Sequence, residues 1–146
     1  MSLGIDYEFR PTDNLICAGA LSPEAVTRAA AEDVVQIINL CPPAEMSWDE
    51  EGTAQKLGLT YHNIPVAGPQ DLNDANAERL LELLDGAPGK SLVHCASSNR
   101  VGALLALAAQ KKGASVDDAL SVGRSGGLTR MEPIVAELLS QRSTNS

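Results

Sequence analysis

The sequence predicts an α/β protein with a mainly parallel central sheet and helices on both of its faces. Three observations lead there. Val34–Leu40 is a β-branched, mostly apolar run, the composition that a strand buried on both faces requires. Ser91–His94 is a second, shorter run, and beyond Arg100 it gives way to Val101–Ala109, which is apolar on every side and reads as a buried helix. Segments of helical periodicity alternate with these runs, the order that builds a parallel sheet through crossover helices.

Taken in order, Tyr7–Arg10 and Leu15–Ala18 read as short strands around a turn at Pro11–Asn14. Ser22-Pro23-Glu24 is a helix start, a capping hydroxyl followed by proline at the first helical position, and that helix runs to about Glu32. After the strand at Val34–Leu40, Ser47-x-x-Glu50 has the spacing of a capping box and opens a helix that stops near Gly58. Thr60–Val66 is the next strand, followed by a polar loop through Gly68, Pro69 and Asp71. Ala77, Leu80, Leu81 and Leu84 then form one helical stripe that ends before Gly86. Ser115–Val122 and Thr129–Leu139 supply the last two helices, the second opened by Thr129-x-x-Glu132, with Pro133 tolerated inside the first turn. No repeat or linker divides the chain, so one domain over residues 4–142 is expected.

Charge narrows the function classes. The chain carries 19 acidic and 11 basic residues, a net charge of −8. Such a surface repels nucleic-acid phosphates and anionic lipid, so no nucleic acid and no membrane are expected as partners. Asp6, Glu8 and Arg10 interrupt any secretory pattern, and the three cysteines have no framework spacing, which together point to the cytoplasm. His62 and His94 show no metal-ligand spacing with the cysteines, so no metal and no cofactor are expected.

Cys95-Ala96-Ser97-Ser98-Asn99-Arg100 carries the chemistry. It lies beyond the carboxyl end of a buried strand, where open α/β sheets bind ligands. Small residues let the loop curl so that Ala96, Ser97, Ser98 and Asn99 can turn their N–H groups toward one anion. The following helix aims its positive end at the same place. Arg100 adds a planar guanidinium that matches two phosphate oxygens, and all of this favours the thiolate of Cys95, the reactive form. The competing reading is a buried structural cysteine with Arg100 merely at the surface.

With the loop in view, the chain resembles the protein tyrosine and dual-specificity phosphatases. The likeness rests on His94-Cys95, the short loop, Arg100 and the apolar helix. It extends to Ile37–Cys41, Thr60–Pro65 and Ser115–Arg124, and so covers the chain from about Leu15 to Leu139. It is closest to the small bacterial members related to the β-lactamase-hydrolase-like branch. The resemblance implies a cysteine-based phosphatase fold and a metal-independent hydrolysis of phosphate monoesters, on a phosphorylated protein or small molecule. Cys95 would attack phosphorus, while Arg100 and the loop amides hold the oxygens. This chain departs from the family pattern in having four residues rather than five between Cys95 and Arg100, Ser98 where glycine is usual, and Val101 where a hydroxyl residue commonly follows.

The family's general acid would fall near Gly68, where no acid stands; Asp71 is the nearest carboxylate and Asp74 the next, both equally suited to capping the following helix. Cys41 reads as a small core residue, or as the partner of a reversible disulfide that some phosphatases of this fold form with the nucleophile. Arg124 and Arg130, flanking Gly126-Gly127, read as a solvated helix end or, alternatively, as a lining of the substrate entrance. Two other functions compete: a rhodanese-like sulfurtransferase with a persulfide on Cys95, to which the four-residue spacing also belongs, and a phosphate-binding module without efficient turnover.

Overall fold

In a computed structural model, which describes residues 2–144, five strands form one sheet in the order β1-β2-β5-β3-β4. They are β1 (Glu8–Thr12), β2 (Leu15–Ala18), β3 (Val34–Asn39), β4 (Thr60–Asn63) and β5 (Lys90–His94). The β1–β2 pair is antiparallel and the other pairings are parallel. The helices are α1 (Pro23–Ala31), α2 (Glu50–Lys56), α3 (Asp74–Gly86), α4 (Asn99–Lys111), α5 (Val116–Ser125) and α6 (Glu132–Thr144). No helix among the described residues is long and apolar enough to cross a membrane.

Successive strand residues sort into two cores. Ile16, Ile37 and Leu92 pack with Ala25, Val26 and Ala29 of α1 and Ala54 of α2. Cys17, Ile38 and Val93 pack with Ala77 and Leu80 of α3, the body of α4, and Ala119 and Val135. The period-2 alternation of the strands thus supplies a face to each helical layer. Helix α4 is buried from Val101 to Ala108, as its apolar composition requires.

Helix α1 is capped by Ser22, whose hydroxyl accepts from the amide of Ala25, and α5 by Ser115 in the same way. Three other starts differ from expectation. Asp49, not Ser47, caps α2, because Glu50 turns inward and is unavailable for a capping box. Asn73, not Asp71 or Asp74, caps α3. Helix α6 begins at Glu132 rather than Thr129, and Glu132 pairs with Arg124. Strand β4 ends at Asn63, although Ile64 and Val66 continue to donate to Asn39 and Leu40 of the β3 side.

Helices α4 and α5 meet backbone to backbone. A Cβ on Gly102 would stand 2.5 Å from the Gly123 carbonyl oxygen, and one on Gly123 would stand 2.9 Å from that of Gly102. Gly102→Ala should therefore cost about 1–3 kcal/mol in urea denaturation through overpacking. Gly86→Ala, at a helical position with nothing within 4 Å, should raise stability by up to ~1 kcal/mol.

Candidate active site

Strand β5 lies between β2 and β3, with His94 in register with Ala18 on one side and Asn39 on the other. Cys95 is the first residue past the sheet, and its amide still donates to the Ala18 carbonyl at 3.1 Å. The loop then curls away. The Ala96 carbonyl accepts from Ala20 N at 3.1 Å, and only a glycine fits at position 19, where a Cβ would stand 2.8 Å from that carbonyl.

The turn into α4 is made at Ser98, whose φ of 66° lies in the left-handed region. A non-glycine residue there is strained by ~1–2 kcal/mol. Ser98 is fully buried, and its Oγ donates to the Gly126 carbonyl at 2.7 Å. Gly127, at φ 107°, lies so close that a Cβ would come within 2.6 Å of the Ser98 Cβ. Asn99 continues the clamp: its Oδ1 accepts from Thr129 N at 3.0 Å and Met131 N at 3.2 Å, and its Nδ2 donates to Thr129 Oγ1 at 2.8 Å. The side chains of Ser98 and Asn99 are thus committed to residues 126–131. What the loop can offer is backbone. The amides of Asn99, Arg100 and Val101, the first three residues of α4, have no intrahelical acceptor and sit at its positive end.

Arg100 folds back over this end, with its side chain 13% exposed rather than spread on the surface. Its Nη1 donates to the Val66 carbonyl at 2.8 Å and to Glu45 Oε2 at 3.0 Å; its Nη2 donates to Glu45 Oε1 at 2.9 Å. Glu45 ends a 3-10 turn at Pro43–Glu45. Beyond the end-on pair, the Nε–H and adjacent Nη2–H edge of the guanidinium meets only Cys41 Sγ, 4.0 Å from Nη2, among the described residues, and can take a stronger acceptor. Hydrogen bonding from Arg100 holds the Glu45 carboxyl below its ordinary range, and Glu45 in turn keeps Arg100 more firmly charged, an effect that a thiolate at Cys95 adds to.

Cys17, Cys41 and Cys95 are all free thiols, and Cys95 has no exposed surface. Cys41 belongs to the core yet lies 4.0 Å from Arg100 Nη2. Burial pushes its thiol up to about 11 against the opposing pull of Arg100. Burial likewise pushes the Cys17 thiol up.

Behind the loop, His94 Nε2 lies 2.5 Å from Glu50 Oε2, and Tyr61 OH donates to the same oxygen at 2.9 Å. Asn39 Nδ2 donates to the Tyr61 oxygen, and Asn39 Oδ1 accepts from Cys41 N. Burial, and then the Glu50 carboxylate, push the Tyr61 phenol up. Glu50 is 2% exposed, and its Oε1 has no partner among the described residues.

The two candidate acids separate. Asp74 pairs with Lys111 and Arg142. Lys111 ends α4, about 18 Å along the helix axis from Asn99, so Asp74 belongs to the far end of that helix. Arg142 holds its carboxyl below the usual range. Asp71 folds back instead, its Oδ2 accepting from Ala67 N at 2.8 Å. Ala67, Gly68 and Pro69 form one wall of an open cleft of about 400 Å³ whose floor is Ala96, Ser97, Asn99 and Arg100. The opposite wall holds Arg130, whose Nη2 donates to Ser97 Oγ at 3.3 Å. Arg130 is therefore part of the loop's surroundings, whereas Arg124 is the exposed helix-end partner of Glu132.

Glu45 escaped the sequence reading, Glu50 was read there only as a capping residue, and Arg130 as a solvated helix end or a lining of the entrance. Glu50 had one local signal, since it stands four residues before the buried Ala54 on the inward face of α2. Glu50→Ala should lower stability by about 1–3 kcal/mol in urea denaturation, because it leaves His94 and Tyr61 without their acceptor. Glu51→Ala, on the exposed side of the same helix, should stay within about 0.5 kcal/mol.

No protein-family model matches the sequence, and neither does any curated protein. Among solved structures, a candidate phosphatase of Shewanella putrefaciens superposes with a TM-score of 0.74 at 21% identity, over 97% of this chain and 92% of its own. TpbA of P. aeruginosa, in complex with phosphotyrosine, gives 0.70 at 17% identity over 100% and 94%. The catalytic core of Siw14 gives 0.74 at 11% identity over 93% and 84%. The strand order, the loop after β5 and the buried helix behind it are thus the fold of the cysteine-based tyrosine and dual-specificity phosphatases.

Proposed function

We propose that the chain is a phosphate-monoester hydrolase working through a phosphocysteine. The observation that carries this reading is the convergence at one place of the Cys95 loop, the open amides of the α4 N-terminus and the folded-back Arg100. The fold shared with phosphatases supports it.

The steps follow from those groups. The Cys95 thiolate attacks phosphorus while the bond to the ester oxygen breaks. The α4 amides and the open edge of Arg100 hold the equatorial oxygens, where charge builds in the transition state. The leaving oxygen takes a proton from the carboxylic acid form of Asp71, whose side chain folds back beside position 67, one residue from where a family acid would stand. Water then attacks the phosphocysteine, returning a proton to the Asp71 carboxylate and releasing phosphate and the thiolate. Cys95 has no exposed surface in this structure, so substrate entry requires the side chains over it to move.

Cys95→Ser should abolish turnover of an aryl phosphate while leaving the denaturation midpoint near that of the parent. Arg100→Lys should be severely impaired, since an ammonium lacks the planar edge. Normal turnover by Cys95→Ser would remove the covalent mechanism. Sulfur transfer from thiosulfate to cyanide, measured in parallel, should be absent; if it exceeds phosphate release, the sulfurtransferase reading replaces this one.

Asp71→Asn should slow alkyl phosphates far more than an activated nitrophenyl phosphate in single-turnover experiments, because a poor leaving group depends most on the proton. General acid assistance is worth ~10²–10⁴-fold. Equal slowing across leaving groups would leave Asp71 only its bond to Ala67.

A further inference from the structure

The cleft above the loop has a charge that the rest of the molecule does not predict. In a chain with a net charge of −8, its lining among the described residues contains two arginines, Arg100, which is paired with Glu45, and Arg130, and no carboxylate. Arg130 takes part in no ion pair among the described residues; its guanidinium donates only to Ser97 Oγ. It is also held in place from both sides. Thr129 and Met131 each donate a backbone N–H to Asn99 Oδ1, and Thr129 Oγ1 accepts from Asn99 Nδ2. The segment bearing Arg130 is thereby tied to the same loop that carries Cys95 and Arg100. An unpaired cation mounted on a fixed base, one residue away from Asn99's own anchor points, is preorganised for an anion. Met131, Ile134 and Pro69 give the cleft apolar sides, and Ile134 is 47% exposed.

We infer that Arg130 is a specificity-determining residue that binds a second anionic group of the substrate. The preferred substrate is a phosphate monoester with a carboxylate or second phosphate on a compact apolar body. The phosphate to be cleaved meets Arg100 and the α4 amides, the apolar body lies against Met131, Ile134 and Pro69, and the second anion meets Arg130. The net charge of −8 disfavours approach of such a ligand to the rest of the molecule.

The inference rests on the phosphatase reading for its chemistry but can be tested by binding alone. Phenyl phosphate, 4-carboxyphenyl phosphate and hydroquinone bisphosphate are titrated calorimetrically into the full chain carrying Cys95→Ser. The two doubly anionic ligands should bind about fivefold tighter than phenyl phosphate or better, a preference that weakens with added salt. Adding Arg130→Met should abolish the preference, and Arg130→Lys should restore part of it. In the chain with Cys95 intact, the same ratio should appear in kcat/KM and collapse with Arg130→Met through KM. Preference for only one of the two ligands identifies the second anion as carboxylate or phosphate. Absence of any preference, its survival in Arg130→Met, or an equal loss for phenyl phosphate would overturn the inference. A binding preference lost in Arg130→Met, in a chain that turns over no phosphate ester, would uphold this assignment and sink the phosphatase reading instead.

Discussion

The site depends on a left-handed turn at Ser98. That residue decides where α4 begins, and therefore where its three open amides and Arg100 point. A serine holds this conformation at a cost, and the surrounding structure offsets it. The Gly126 carbonyl takes the Ser98 hydroxyl, and Gly127 brings no side chain into the space that Ser98 fills. The turn from α5 toward α6 is in this sense the other half of the Cys95 loop. The contact is possible only because α4 and α5 approach through Gly102 and Gly123, so the packing of two helices sets the curvature of a loop that neither contains.

Three further anchors complete the arrangement. On one side, Asn99 ties the 129–131 segment to the loop; on the other, Glu45 and the Val66 carbonyl fix the guanidinium of Arg100. Beneath, His94 is held by Glu50, Glu50 by Tyr61, and Tyr61 by Asn39. Glu45 and Glu50 come from the connection between β3 and β4, Val66 from the segment after β4, and residues 129–131 from the turn between α5 and α6. The polar side chains of the loop are spent on this scaffolding, and the backbone and one arginine are left to meet an anion. That division suits a protein of strongly negative charge, because helix-end amides and a buried-edge guanidinium act at short range and are little screened.

Strand and helix order was legible because it follows from apolar periodicity, which is local. Val34–Leu40 and the all-round apolar Val101–Ala109 read correctly for that reason. Helix starts were less legible where a side chain was wanted elsewhere. Glu50 left the Ser47 capping box for His94, forty-four residues away, and Thr129 was claimed by Asn99 before it could cap α6. Cys95 and Arg100 could be read together because they lie in one loop. Glu45 could not, since nothing local in Pro42-Pro43-Ala44-Glu45 foretells which surface the fold brings it to, and Thr129-Arg130-Met131 left open whether Arg130 lines the entrance or ends a solvated helix. The two aspartates show the same limit: Asp71 and Asp74 are alike in sequence, and only the pairing of Asp74 with Lys111 and Arg142 separates them.

The central claim is that Cys95 carries the phosphoryl group between the two half-reactions. Rapid acid quench of the enzyme with an activated aryl phosphate, followed by peptide mass spectrometry, tests it directly. Val101, buried in the core where a hydroxyl would assist release of the sulfur, should leave the second step slow, so phosphate should accumulate on the Cys95 peptide within the first turnover. Product release with no adduct on Cys95 at any quench time, or an adduct on another residue, would contradict the account.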